Sequence, residues 1–333
     1  MMKVAVIILN WNGEKLLQEF LPSVVRNTNM ELGKVVVVDN ASSDGSAELM
    51  HTSFPEVEYV QLDENYGFAG GYNRAIALRK EEVVVLLNSD VEVAEGWLEP
   101  LVALLEEEPD VVAVQPKIMS YKDKMRFEYA GASGGFIDYL GFPFCRGRIL
   151  DVLETDSGQY DDNREVFWCS GAALCIRRDA YMQVGGLDER FFAHMEEIDM
   201  CWRLRTAGGK LKVCPNSVVF HLGGGSLPMN HPRKLFLNYR NNLLMLYKNL
   251  NSREWQRVRW QRWFLDGAAM SMFLLKGEWA NVKSVIQAYR EFRLLKKYYK
   301  HGLGTRRDVC IYPYSLIFRY YFKGIRTFSD LWK

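Results

Sequence analysis

The sequence predicts an α/β fold, a mostly parallel sheet flanked by helices with a helical extension after it. Three observations carry this: β-branched runs recur through the first 120 residues, helix-like stretches separate them, and the runs are apolar from end to end. A strand covered on both faces has no polar side, whereas one open to water alternates.

The first run, VAVIIL (4–9), belongs to an opening MMKVAVIILNWNG that lacks a basic leader and a small-residue cleavage site, so it reads as a strand and not a signal peptide. KVVVVD (34–39), VEYVQL (57–62), EVVVLL (82–87) and VVAVQ (111–115) follow, with helix-like segments around Glu14–Arg26, Ser46–His51, Gly70–Leu78 and Trp97–Glu107 between them. Residues 121–165, glycine-rich and ending in the acidic DSGQYDDNRE, read as loop, either an acceptor-side loop or a surface excursion. Helix and strand return from Trp168 to about Ser226. From Pro232 the chain is helical, basic and aromatic, which divides it into 1–230, an α/β domain, and 231–333, a helical region.

Charged residues make up 25% and hydrophobic ones 48% of the 333, ordinary for a soluble protein, and no run of about 18 uncharged apolar residues spans a bilayer. Six cysteines without CxxC or metal-type spacing argue for reduced thiols in a cytosolic protein and against a zinc site. The net charge of +1 conceals an asymmetry: residues 230–333 carry 21 Lys and Arg against 6 Asp and Glu, a balance of +15, and residues 1–229 carry 21 against 35. Aromatics such as Trp260, Trp263 and Tyr298 interleave with those cations, a pattern that serves single-stranded nucleic acid, an anionic membrane surface or a structural cap. WFLDGAAMSMFLLKG (263–277), too short to span and interrupted by Asp266, reads as a helix on the core or in a bilayer surface.

The chemistry sits at the strand ends. Asn10-Trp11-Asn12-Gly13, Asp39-Asn40-Ala41-Ser42, Asp63-Glu64-Asn65-Tyr66-Gly67 and Asn88-Ser89-Asp90 follow the first four runs, and parallel strands would bring these polar ends to one edge, where open α/β sheets bind ligands. A single such end is equally a turn. An acid closing an apolar run costs free energy unless paired, and Asp90 with Asn88 and Ser89 offers oxygen ligands to Mg²⁺ or Mn²⁺ shared with a diphosphate. His221, in VVFHLGGGS, is either a ligand beside phosphate-approaching glycines or a hydrogen-bonded structural residue. Gly67, Gly70 and Gly71 mark a loop-to-helix junction that lets backbone approach a ligand. In HMEEIDMCWR (194–203), helical spacing sets Glu196, Asp199 and Arg203 on one side, the last two as an i,i+4 pair. Glu197 falls beside Cys201 and Leu204, an apolar setting that raises a carboxyl toward the pKa of a general base; acids in a first turn also simply complement the helix dipole. Neither G-x-G-x-x-G nor a Walker pattern occurs, which disfavours NAD chemistry and ATP hydrolysis.

VAVIILNWNG, VVVVDNASSDGS, ENYGFAGGYNRA, LLNSDVEV, CSGAALCIRRDAYMQVGGLDERFFAHMEEIDMCWRLRTAGGKL and VFHLGGGS, in this order over residues 3–226, resemble the inverting nucleotide-sugar glycosyltransferases of family 2 with the GT-A fold. Within that family the chain is most similar to the rhamnosyltransferase-type enzymes of bacterial cell-surface polysaccharide synthesis, and LNYRNNLLMLYKN resembles the helix that follows their catalytic domain. The resemblance implies a nucleotide site of Asn10, Asn12, Asp39, Asn65, Gly71, Asn73, Asn88 and Ser89. It makes Asp90 the metal-binding acid of a DXD-type motif, with His221 completing the metal or phosphate contacts. It makes Glu197 the base, with Glu196 and Asp199 the neighbouring acids, and gives Trp168, Gly171 and Ala172 the acceptor side. Two departures stand out: Asn88 replaces the first acid of the DXD, and Glu stands at the base position where Asp is usual, which leaves Glu196 and Glu197 both open. The implied reaction is a single displacement with inversion, from dTDP-rhamnose or a UDP-sugar, with Mn²⁺ or Mg²⁺, to a lipid-linked or oligosaccharide acceptor. It would take place in the cytoplasm on the inner face of the membrane, with no nucleic-acid partner and the C-terminal region available for lipid or homo-oligomer contact. The alternatives are a non-catalytic nucleotide-sugar scaffold and a sugar nucleotidylyltransferase, for whose phosphate loop NWNGEK is a poor version.

Overall fold

The computed structural model describes residues 2–223, 231–302 and 310–333. Strands β1 (Val4–Asn10), β2 (Gly33–Asp39), β3 (Glu58–Gln61) and β4 (Val83–Asn88) form on the four predicted runs, joined by α1 (Glu14–Asn27), α2 (Ser46–Ser53) and α3 (Gly67–Ala77). After β5 (Val91–Val93) come α4 (Glu99–Glu107), β6 (Val111–Ser120), four short strands β7 (Gly135–Asp138), β8 (Pro143–Cys145), β9 (Arg148–Ile149) and β10 (Val152–Leu153), then β11 (Arg164–Glu165), β12 (Ala173–Arg177), α5 (Arg178–Gln183), α6 (Glu196–Thr206) and β13 (Lys210–His221).

Among the described residues the main sheet has nine strands, in the order β11-β13-β6-β12-β4-β1-β2-β3 with β5 on β13. β4, β1, β2 and β3 are mutually parallel, and the register sets Asn10 opposite Asp39 and Leu9 opposite Asn88, so the polar ends share one edge. The chain leaves β1 toward β2 and β3 and returns to β4 on its other side; that reversal of order is where open α/β sheets bind ligands. Beyond β4 the sheet is mixed: β12 is antiparallel to both β4 and β6, whereas β13 is parallel to β6.

Residues 121–165 are more than loop. β7 to β10 belong to a second sheet, ordered β10-β9-β8-β7-β14, whose last strand β14 (Ile311–Tyr312) arrives from the C-terminal end. Strands of two to four residues are too short to display an alternation, which is why no periodic signal announces them. Asp138, buried, accepts from Leu140 N and Phe142 N through one oxygen and from Leu316 N through the other, tying the β7–β8 turn to the C-terminal segment.

α7 (Pro232–Asn249), α8 (Ser252–Leu275) and α9 (Trp279–Leu295) pack together; α10 (Leu316–Lys323) and α11 (Phe328–Leu331) follow β14. The Asn251/Glu254 capping box starts α8. Phe328 packs on Phe136, Phe144 and Tyr160, so residues from 231 onward share one apolar core with the sheets. Past Asp266, α8 buries no residue, and Leu275 at its tip is 89% exposed.

Candidate active site

At the β1 and β2 ends the two loops lock onto each other. Asn10 and Asp39 are fully buried; Asn10 Nδ2 donates to Asp39 Oδ2 at 2.9 Å and Ser42 N to Asp39 Oδ1 at 2.7 Å. Asn12, at φ 49°, accepts from Ser43 N at 2.8 Å. Asn10 Oδ1 is buried with no partner, a polar atom left for something else to meet. Asn40 is the hub of the neighbouring turn: its Oδ1 accepts from Tyr66 N at 3.0 Å, and its Nδ2 donates to Asn65 Oδ1 at 3.0 Å and Gly67 O at 3.1 Å. Gly71 contributes by being small, because a Cβ there would stand 2.7 Å from Leu9 Cδ1. Asn73 turns elsewhere: its Oδ1 accepts from Tyr181 OH at 2.6 Å and Leu187 N at 3.0 Å, and its Nδ2 donates to Leu187 O at 2.8 Å, so the structure uses it to brace the 181–189 segment.

At the β4 and β13 ends, Asp90 Oδ1 lies 3.2 Å from His221 Nε2, with Asn88 Nδ2 3.5 Å from the same nitrogen and Ser89 half-buried in the turn. His221 Nδ1 faces Glu128 Oε2 at 3.3 Å, a charge contact without hydrogen-bond alignment. Burial lowers the imidazole pKa, but the hydrogen bond with Asp90 and the charges of Asp90 and Glu128 outweigh it and push His221 up to about 10. Burial raises the Asp90 carboxyl, and His221 together with backbone N–H groups overcomes this to hold it below the usual carboxylate range. Glu128 gave no sequence signal, lying in the segment read as loop; Glu128 N bonds Ile118 O and its carboxylate takes Ala130 N, which fixes it under His221.

A divalent cation can be tested against this donor set. Among the described residues no group of three or more His, Cys, Asp or Glu is arranged to hold a metal. The Asp90 carboxylate nevertheless suits an ion that takes its remaining oxygens from a diphosphate, as Mg²⁺ and Mn²⁺ do, and the His221 imidazole can join it only by giving up the proton that Asp90 and Glu128 hold on it. The pair fits a shared cation and not one caged by protein alone. Gly223 is the last described residue of the glycine run; Gly224, Gly225 and Ser226 lie outside the described residues.

Glu196 and Glu197 open α6 after a segment in which Phe192, His194 and Met195 all have φ between 66° and 70°. Non-glycine residues in that region cost about 1–3 kcal/mol each and persist only where the surroundings impose them. Each glutamate keeps one buried oxygen, Oε2, without a partner. Burial pushes Glu197 up to about 7, and burial plus the charge of Glu197 holds Glu196 well above the ordinary range. Asp199, expected among the catalytic acids, is put to structural use: it is fully buried, with Oδ2 held by Arg203 Nε at 2.9 Å and Lys248 Nζ at 2.8 Å, and Oδ1 held by Asn249 Nδ2 at 2.8 Å. Arg203, Lys248 and Asn249 together anchor it to the protein.

Gly171 and Ala172 join the two halves. A Cβ at Gly171 would stand 3.7 Å from Glu197 Cβ, and Ala172 O accepts from Asn88 N at 3.0 Å. Gly171 thus meets the Glu197 side chain and the Phe68 ring, and Ala172 pairs with the strand end that leads into the Asp90 turn. Trp168 is a core residue instead of a cleft wall, buried with Nε1 donating to Phe136 O at 3.0 Å and its ring against Gly135. Lys234, in the first turn of α7, is a second missed residue: half-buried, lowered by burial, and electrostatically within reach of Glu128 and His194.

Residues 5–185, more than half of the sequence, match the profile of Glycosyl transferase family 2. The chain belongs to that family. This glycosyltransferase is 27% identical over 281 residues to an N-acetylglucosaminyl-diphospho-decaprenol L-rhamnosyltransferase of Mycobacterium tuberculosis, covering 79% of this chain and 89% of the relative. It is 23% identical over 251 residues to the low-salt glycan biosynthesis hexosyltransferase Agl10 of Haloferax volcanii, covering 72% and 74%. Among solved structures it resembles GalNAc-T7 with UDP, GalNAc and Mn²⁺ (TM-score 0.59, 16% identity, 90% of this chain and 58% of that one). It also resembles the mannosyltransferase PcManGT from Pyrobaculum calidifontis with GDP-Man and Mn²⁺ (TM-score 0.55, 14% identity, 89% and 88%). The GT-A fold of this glycosyltransferase is thereby shown, and the nucleotidylyltransferase alternative falls away. The matched span ends at 185, short of Glu196, Glu197 and His221, whose roles rest on geometry.

Proposed function

We propose that this family 2 glycosyltransferase moves a hexosyl group, rhamnose first among the candidates, from a dTDP- or UDP-linked donor to a lipid-linked or oligosaccharide acceptor in cell-surface polysaccharide synthesis. One observation carries the reading: a carboxyl held low at Asp90 and a carboxyl pushed up to about 7 at Glu197 flank the same pair of small residues, Gly171 and Ala172. Environments that drive two acids apart are how one site runs opposite roles.

In this reading Asn10, Asn12, Asp39 and Asn65 bind the nucleoside, and Asn88 and Ser89 border the diphosphate. Asp90, joined by His221 once its proton is displaced, would hold a divalent cation, Mn²⁺ or Mg²⁺, which would supply charge to neutralise the diphosphate. Glu197 takes the proton of the acceptor hydroxyl; the freed oxygen forms its bond to the anomeric carbon opposite the diphosphate, whose C–O bond breaks with the electron pair leaving on phosphate oxygen. Inversion follows from that single displacement. Release of nucleoside diphosphate, measured over a panel of activated sugars with a membrane extract as acceptor, is expected to be turnover-linked for one donor. Acceptor-independent silence across dTDP-, UDP- and GDP-sugars would sink the proposal.

Residues 1–230 act as the catalytic unit and 231–333 as its support and membrane contact. No helix among the described residues is long and apolar enough to cross a membrane. A peripheral seat on an anionic inner leaflet is supported by Trp263, Phe264, Met272 and Leu275, all exposed on α8, within a segment of net charge +15. Sedimentation with phosphatidylglycerol vesicles, weakened by salt and by Phe264→Ser with Leu275→Ser, is expected. Equal indifference to anionic and neutral vesicles overturns the membrane reading and leaves a second copy of the chain as the occupant.

A further inference from the structure

We infer that Asn241, with Arg240 beside it, is a positioning residue for the Glu196–Glu197 pair, so that α7, outside the family-matched span, sets the reach of the base. The inference rests on the assignment of Glu197 made above.

Asn241 is fully buried, and its amide nitrogen donates to three carbonyls of one short segment: Phe191 O at 2.9 Å, Ala193 O at 2.8 Å and His194 O at 2.7 Å. Two hydrogens serve three acceptors, so one bond is shared. Its Oδ1 accepts from Arg240 Nε at 2.9 Å, which fixes the amide against flipping. Arg240 Nη2 adds bonds to Arg190 O at 3.2 Å and Phe191 O at 2.9 Å, and Nη1 reaches Glu291 Oε2 on α9 at 3.3 Å. The carbonyls so gathered belong to the stretch where Phe192, His194 and Met195 adopt left-handed backbone; Phe191 O also takes Ala193 N at 2.8 Å, and no helix or strand supplies donors to the others. Buried carbonyls without donors are costly, so the clamp is what keeps this conformation populated.

The far side of the acid pair is pinned by the same helix. Lys248 and Asn249 hold Asp199, within the first turn of α6. Glu196 and Glu197 therefore lie between two anchors, both on α7, with no hydrogen bond of their own to Oε2. Their placement is imposed from behind. A carboxylate that must approach a hydroxyl within hydrogen-bond reach is sensitive to displacements near 1 Å.

The test uses the full chain carrying Asn241→Ala or Arg240→Lys, assayed for transfer and for nucleoside-diphosphate binding by calorimetry. Expected is a kcat lowered about 10- to 100-fold in Asn241→Ala, less in Arg240→Lys, with donor KM and nucleotide Kd unchanged. The acidic limb of the pH–rate profile should move to lower pH as the segment opens to water. A folded Asn241→Ala with wild-type kcat and profile, or one whose loss is wholly in nucleotide binding, overturns the inference. Should Asn241→Ala fail to fold, Arg240→Lys decides, wild-type kcat there having the same meaning. Glu197→Gln run alongside separates the two claims: if it stays active the base assignment fails, whereas if it loses activity and Asn241→Ala keeps wild-type kcat and profile, the positioning role alone fails.

Discussion

Glu197→Gln is expected to lower kcat/KM by about 10²- to 10⁴-fold, the usual contribution of a positioned general base, while nucleoside-diphosphate affinity stays as in the unaltered enzyme. Gln preserves shape and removes only the capacity to take a proton. The same group predicts the pH dependence. Glu197 is pushed up to about 7 by burial, so below that pH it is protonated and cannot accept, and above it is ionised and can. The rate should therefore rise with pH through neutrality and be lost as pH falls, and Glu197→Gln should flatten that limb. It is the Glu197 side chain that meets Gly171, so Glu196→Gln should cost far less. The reverse ranking in a steady-state comparison would exchange the two roles.

Asp90→Ala should lower turnover by about 10²- to 10³-fold, the scale seen when one charge-stabilising group is removed from a reacting centre. Binding is the sharper readout. The unaltered enzyme should hold nucleoside diphosphate more tightly with Mn²⁺ or Mg²⁺ than with chelator, and Asp90→Ala should bind it equally in both. In the variant, His221 keeps only Glu128 as an acidic neighbour and should titrate at lower pH than before. If calorimetry on the unaltered enzyme finds no difference between metal and chelator, the cofactor assignment is wrong, whatever the variant does.

The half of the site at the strand ends was legible because two simple rules meet there: apolar runs give buried parallel strands, and what ends them must face one edge. Asn10, Asp39 and Asp90 follow from that alone, in register as the pairing requires. The half that was not legible depends on contacts between distant segments. Asp199 paired with Arg203 at i,i+4 is readable from spacing, but Lys248 and Asn249, which take its remaining capacity, lie about fifty residues away. Glu128 reaches His221 from a segment whose strands are too short to show a period. Asn241 looks like any polar residue on a basic helix. Trp168 beside glycines imitates a binding wall, yet Gly135 exists to admit its ring to the core. Asn73 imitates a pocket residue because asparagines at loop ends do either job.

The pairing of Ile311 with Ile137 has a consequence for biosynthesis. While the ribosome is still translating α9, β7 has β8 on one flank, and on the other only Gly135 is paired, with Trp168, so that the Ile137 end is left as a template for any passing chain. The nascent enzyme thus stays vulnerable to misassembly until Ile311 has been made, and a stop shortly before that residue should yield inclusion bodies in place of a smaller transferase.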